Sequence, residues 1–261
     1  MIQTKEIKHI ALFEGIGGFS LAAQWMGWHT KLWIENNPFC QNTLRKNFKN
    51  AIGHSDIRDF DGTPYRGQFE ILTGGFPCQP YSLSGNRQGS NDERALWGEM
   101  FRVVKEVEPS FVVAENVYGI INIEDGLVFE GVCLDLESQD YEVQPYIIPA
   151  CAINAPHQRN RVWIVAKKKG CDKIRHQYAH TNTNGIGHQK QGYQLETDWN
   201  RQFDEDVRYR NWLEAATQLC RVDDGLSKKL DNERIAALGN AIVPQIAYIH
   251  FKAIMDTWLM G

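Results

Sequence analysis

In GGFPCQPYS, residues 74–82, a thiol stands in a glycine-opened loop, with Cys78 between Pro77 and Pro80. Proline in the flanks stiffens the backbone, as holding a nucleophile against a substrate requires. Taken alone, Cys78 serves equally as a small buried hydrophobe in a turn. A second candidate is Glu115 in PSFVVAENVYG, an acid at the end of an apolar run. By itself it reads equally as a solvated strand-end carboxylate. A third group is IALFEGIGGFS, where Gly15, Gly17 and Gly18 follow one apolar run and open a helical pattern. Glycines there let the backbone turn tightly and approach a ligand, with helix amides behind. Glu35 ends the next run, the position from which an acid takes both hydroxyls of a ribose. Asp56 in GHSDI follows a further short segment, within reach of an adenine edge. No Lys-Ser/Thr follows the glycines, which disfavours a phosphate-cradling loop. The nucleoside ligand therefore need not carry phosphates, and the acidic Glu14 would suit a cationic one.

These groups act together only if the chain brings them to one edge. HIALF, TKLWIE, FEILTGG, PSFVVAENV, VQPYIIPA and RVWIVA read as strands, several apolar on both faces, as in a parallel sheet covered by helices. Helical patterns lie between them: GGFSLAAQWMGW, NPFCQNTLRKNF with Asn37 as N-cap and Pro38 at the first helical position, ERALWGEMFRVVKEVEP, and Leu127 to Gln139. The alternation predicts an α/β fold, a doubly wound sheet of Rossmann type, mostly parallel with helices on both faces. Cys78 and Glu115 then fall at strand ends on the same rim, beside the nucleoside site. After Ala166 the texture changes to polar residues with Gly, Asn and interleaved Tyr, an excursion from the core in which Trp199, Phe203, Trp212 and Leu213 mark some packed structure. A helical tail from Asp231 to Trp258 follows, interrupted at Gly239 and Pro244. The expected division is 1–166, 167–230 and 231–261.

Composition bounds the rest. At 261 residues, 43% hydrophobic and 23% charged, the chain has the balance of a soluble globular protein, with no apolar stretch of membrane-spanning length and no signal-like N-terminus. The six cysteines form no CxxC pair and no disulfide-like spacing, which predicts a reducing, cytoplasmic setting. The net charge of −4 does not announce a polyanionic partner, although the segment from Lys167 to Arg234 carries a small basic excess.

The ordered blocks FEGIGG (Phe13 to Gly18), Glu35, Asp56, GGFPCQPYS, DERALW from Asp92, AENV (Ala114 to Val117), PHQRNRVWIVA (Pro156 to Ala166) and GNAIVP (Gly239 to Pro244) resemble those of the C5-cytosine DNA methyltransferases. The resemblance runs through nearly the whole chain. It implies S-adenosyl-L-methionine as methyl donor and S-adenosyl-L-homocysteine as product, without a metal. The donor would be bound at Phe13, Gly15, Gly17, Glu35 and Asp56, with Pro77 and Asn240 closing around it. It implies addition of the Cys78 thiolate to C6 of a cytosine rotated out of the duplex, with Glu115 holding N3 and the exocyclic amine. Arg159 and Arg161 match the family's arginine pair, one meeting the flipped base and its phosphate while the other braces the catalytic loop. Without the family, RNR is a charged strand edge that discourages aggregation. Gln79 to Asn91 would close over DNA, with Gln79, Ser82 and Arg87 as contacts.

Two features depart from the family's pattern. His157 stands where the arginine block usually has glutamine. The region 167–230, expected to recognise the target, is short, and His176 to Tyr193 reads either as its base-reading segment or equally as a solvated loop. The expected partners are double-stranded DNA and, in a restriction-linked role, a cognate restriction endonuclease; the expected state is a monomer with no membrane association. A tRNA cytosine-C5 methyltransferase and a catalytically silent DNA-binding relative remain as alternatives.

Overall fold

The computed structural model describes residues 6–77, 92–153, 159–171 and 228–260. Within them the strands are β1 (Lys8–Leu12), β2 (His29–Ile34), β3 (Ile52–His54), β4 (Ile71–Gly74), β5 (Phe111–Val117), β6 (Tyr141–Pro149) and β7 (Asn160–Lys168). The helices are α1 (Gly18–Trp25), α2 (Pro38–Asn47), α3 (Asp92–Val107), α4 (Leu127–Glu137), α5 (Lys228–Asn240) and α6 (Pro244–Met260). All six runs with strand-like apolarity form strands. The seventh, β3, has only three residues, largely exposed, and so carries no apolar signature. No helix among the described residues is long and apolar enough to cross a membrane.

The seven strands form one sheet in the order β3-β2-β1-β4-β5-β7-β6. Pairing is parallel from β3 to β5, and β7 runs antiparallel to both β5 and β6. The order reverses between β1 and β4, so a crevice opens beyond their carboxyl ends, where doubly wound sheets bind ligands. The reversal of β7 matters as much. Because it is antiparallel, its first residues rather than its last lie on that same rim.

Alternation along the strands assigns each face a helical layer. Ile10, Leu12, Leu72, Val112 and Ala114 join the cluster that holds Met100 and Val104 of α3 and Val132 and Leu136 of α4. Ile71, Phe111, Val113 and Trp163 join the opposite cluster, with Phe19 and Ala22 of α1 and Ile246, Phe251 and Ile254 of α6. Leu44 of α2 packs on Ala11 and Trp33. At the centre His9 is fully buried and bridges three strands, its Nδ1 lying 2.9 Å from Thr30 Oγ1 and its Nε2 2.8 Å from Thr73 Oγ1. Burial drives its pKa down to about 3, so the ring is neutral.

The helix ends follow local chemistry. Asn37 caps α2, its side chain accepting from Phe39 N and Cys40 N, with Pro38 at the first position. Gly17 is the N-cap of α1 at φ +103°, a conformation that suits glycine, and it has no side chain with which to cap. A Cβ on Gly17 would also lie 2.5 Å from the Phe48 ring. The expected break in the C-terminal helix is residues 241–243, between α5 and α6.

Candidate active site

The crevice beyond β1 and β4 has a volume of about 450 Å³. Its wall contains Phe13, Gly15, Glu35, Asp56, Pro77 and Asn240, six of the seven residues expected at the cofactor, together with Glu115 and Arg161. The seventh, Gly17, is not in the wall; it sits in the turn that opens α1. Arg159 is not in the wall either. Cys78, Gln79, Ser82 and Arg87 lie outside the described residues, as does most of 167–230, including His176 to Tyr193.

On the cofactor side Glu35 ties two loops together. Its Oε2 accepts from Gly15 N at 2.7 Å and its Oε1 from Asn37 N at 2.7 Å. Each oxygen keeps a further lone pair, the acceptor capacity that a ribose diol needs. Asp56 accepts from Arg58 N at 3.0 Å and Arg58 Nε at 3.1 Å, and the side-chain bond to Arg58 holds its carboxyl below the usual range. It thus stays anionic, an acceptor for an exocyclic amine. Phe13, Ile57 and Leu96 add apolar wall, and Phe13 is held at φ +51°, an uncommon backbone state for a bulky residue.

Glu14 does not face this cavity, which corrects the expectation that it would attend a cationic ligand. It is buried at 4% exposure, and its Oε1 accepts from Ser20 N at 2.8 Å. That amide is one of the otherwise unpaired donors in the first turn of α1, so Glu14 supplies the cap that Gly17 lacks. Burial lifts its pKa to about 8, helped by the nearby Glu35 charge.

On the opposite side, Glu115 and Arg161 pair at 2.8 Å from Oε1 to Nε. The strand register puts Glu115 opposite Trp163 and Arg161 opposite Val117, making the pair diagonal neighbours on one face. Burial pushes the Glu115 carboxyl up, against the opposing pull of Arg161 and Arg159. Gly75 leaves room beside it, since a Cβ there would stand 3.5 Å from Glu115 Oε2.

Some contributors had no role assigned from sequence. Asn116 donates from Nδ2 to Phe76 O at 3.0 Å and accepts from Val117 N at 2.7 Å. It thereby fastens the loop that leads to Cys78 onto the end of β5; its place beside Glu115 in AENV was the available signal. Arg102 of α3 donates to Ile57 O at 2.6 Å and Phe60 O at 2.8 Å while pairing with Glu99 and Glu106. It clamps the turn after Asp56, a role with no sequence signature because its acceptors are backbone carbonyls. Ala236 and Ala237 of α5 complete the wall.

The arrangement joins a nucleoside-sized cavity to a buried acid–guanidinium pair, with a glycine-opened loop entering between them. The sequence profile described as C-5 cytosine-specific DNA methylase matches residues 7–218. Type II methyltransferase M.Eco47II of Escherichia coli is 34% identical over 160 residues, covering 60% of this chain and 38% of that protein. Type II methyltransferase M.AquIA of Picosynechococcus sp. is 32% identical over 184 residues, covering 63% of this chain and 73% of its own. The chain thus spans well under half of the first of these relatives. Among solved structures, a putative DNA modification methyltransferase encoded within an E. coli prophage superposes with a TM-score of 0.54 at 27% identity, over 63% of this chain and 47% of its own. The S. pombe Dnmt2 methyltransferase gives a TM-score of 0.61 over 94% of this chain and 97% of its own, and at 17% identity supports the fold alone. With the profile spanning most of its length, the chain belongs to the C-5 cytosine-specific DNA methylase family.

Proposed function

We propose that the chain transfers the methyl group of S-adenosyl-L-methionine to C5 of a cytosine in a short sequence of double-stranded DNA. The observation that carries this reading is the placement of the Glu115–Arg161 pair in the same cavity wall as Glu35 and Asp56. The residues fit the cofactor. The cavity volume lies within the small-molecule range, two carboxylates offer acceptors for a ribose and an adenine amine, and apolar walls flank them. When bound, the cofactor supplies an electrophilic methyl group.

The chain's own residues supply the rest. Cytosine C5 is a poor nucleophile while the ring is aromatic. Cys78 thiolate adds to C6, the ring electrons move, and C5 becomes nucleophilic. Glu115, its carboxyl lifted by burial, gives a proton to N3 as that charge grows and accepts from the exocyclic amine. Arg161 holds Glu115 in place and closes the base side of the cavity. After methyl transfer N3 returns its proton to Glu115, water takes the C5 proton and Cys78 leaves as thiolate, so the aromatic ring, the acid and the nucleophile are all restored. The reacting carbon is stacked within a duplex, which requires the base to be extruded into the site.

The test is to express the protein in a bacterium lacking cytosine methylation and map 5-methylcytosine across its genome. Marks confined to one short sequence are expected. An unmarked genome alongside methylated tRNA would move the substrate to RNA, and no incorporation into either would overturn the reading.

A further inference from the structure

The two arginines of the RNR stretch do different things. Arg161 faces Glu115, whereas Arg159 sends its guanidinium to the turn between α5 and α6. Its Nη1 donates to Gly239 O and its Nη2 to Ala241 O, each at 2.8 Å. Those carbonyls flank Asn240, which stands in the cavity wall. They also belong to the C-terminal end of α5, where carbonyls lack intrahelical partners and a cation is favoured. The planar fork of arginine matches two such acceptors at once; an ammonium satisfies them less well. The Arg159 backbone is at φ +32°, a left-handed value that costs energy for a side-chain-bearing residue and persists where surrounding contacts hold it.

The other side of the same turn is fixed by packing. Ile242 lies so close to Gly18 that a Cβ there would be 2.6 Å from its Cγ1, and its Cγ2 stands 3.7 Å from the corresponding point on Gly75. Glycines of the β1 and β4 loops therefore receive the turn on one side, and Arg159 grips it on the other.

We propose that Arg159 is a positioning residue for the cofactor wall, holding Asn240 in place, rather than a contact to the target base or its phosphate. This rests on the methyltransferase reading. One strand start then serves both halves of the site: Arg161 sets Glu115 for the base, and Arg159, two residues earlier, sets Asn240 for the methyl donor.

The test separates the two ligands. Binding of S-adenosyl-L-methionine and of a DNA duplex carrying the mapped sequence is measured separately for the wild-type chain, R159K and R161Q. In R159K the Kd for S-adenosyl-L-methionine rises about tenfold while DNA affinity moves less than about twofold, as expected for loss of one charge-assisted hydrogen bond on the cofactor side. R161Q, whose side chain pairs with Glu115 and not with the turn, keeps cofactor affinity within about twofold of wild type. An R159K chain that binds the cofactor like wild type and loses DNA affinity overturns the proposal. Hydrogen exchange on the wild-type chain reads the same point without a substitution. The 240–243 amides that can exchange gain protection with S-adenosyl-L-methionine alone; protection that comes only with DNA overturns it. If the wild-type chain binds no S-adenosyl-L-methionine, the methyltransferase reading itself fails, an outcome distinct from either.

Discussion

In the mechanism proposed above, Cys78 is the attacking sulfur and Glu115 the supporting acid, and each has a variant that isolates its part. Cys78→Ser removes the nucleophile with little change in volume, so methyl transfer is expected to vanish while S-adenosyl-L-methionine binding stays near wild type, as read by calorimetry. Appreciable turnover in that variant would sink the covalent step. Glu115→Gln keeps the shape but has no proton of the right acidity to give, so turnover should fall at least about a hundredfold. Most of these residues were legible because polar groups at the carboxyl ends of apolar runs have few structural duties, and the fold collects such ends on one rim. Glu35, Asp56, Glu115, Arg161 and Asn240 all meet in the cavity. Glu14 misled because its charge suggested a ligand, whereas its sequence neighbour Gly17 leaves a helix amide for it to cap. The part played by Arg159 was hidden for a different reason: its acceptors are main-chain oxygens eighty residues away, which any residue type would supply.

At the scale of elements, close approach does the assembling. The first residue of α1 is glycine because Ile242 occupies the space a side chain would need. Gly18→Ala should push α1 from the 241–243 turn, lowering stability by about 1–3 kcal/mol and weakening cofactor binding. Adding Ile242→Ala should return part of the lost stability, since the two sites share one contact; strictly additive losses in urea unfolding would argue that the strain lies elsewhere. Helix and strand existence was readable from periodicity, and the α2 cap from Asn37-Pro38. The omission was β3, whose three residues pair with β2 through backbone bonds that need no apolar pattern.

For the whole molecule, four buried titratable groups set an acid limb and an alkaline limb of stability. Burial depresses His9 to about 3 and His250 to about 4, from 6.5. The unfolded chain therefore takes up two protons that the folded one refuses, and stability declines below about pH 6.5 by up to about 1.4 kcal/mol per unit for each ring. Glu14 works in the other direction. Folded, it keeps its proton to about 8, while unfolded it ionises near 4.5, so its contribution is present at low pH and lost as pH rises toward 8. Glu115, also raised by burial, acts in the same direction as Glu14, so the carboxyls offset only part of the histidine effect in the acidic range and prevail above it. The urea midpoint is expected to be highest near pH 6.5, and Glu14→Gln should flatten its decline between pH 6.5 and 8. A wild-type midpoint that keeps climbing through that interval would contradict the buried acid.

The contact of Ile242 with Gly18 and the grip of Arg159 on the turn beside Asn240 also have a meaning in time. A ribosome that has emitted everything up to Arg161 has already delivered Phe13, Glu35, Asp56, Cys78 and Glu115, yet Ala236, Ala237 and Asn240, which complete the wall, lie at least 75 residues further along the sequence and are still to be made. A nascent chain thus holds those residues before their cavity is complete, and the wall closes only once residues 236–240 have emerged. A cut between Cys171 and Lys228 would leave Phe13, Glu35, Asp56, Glu115 and Arg161 on one piece and Ala236, Ala237 and Asn240 on the other, dividing the wall of a single cavity between them.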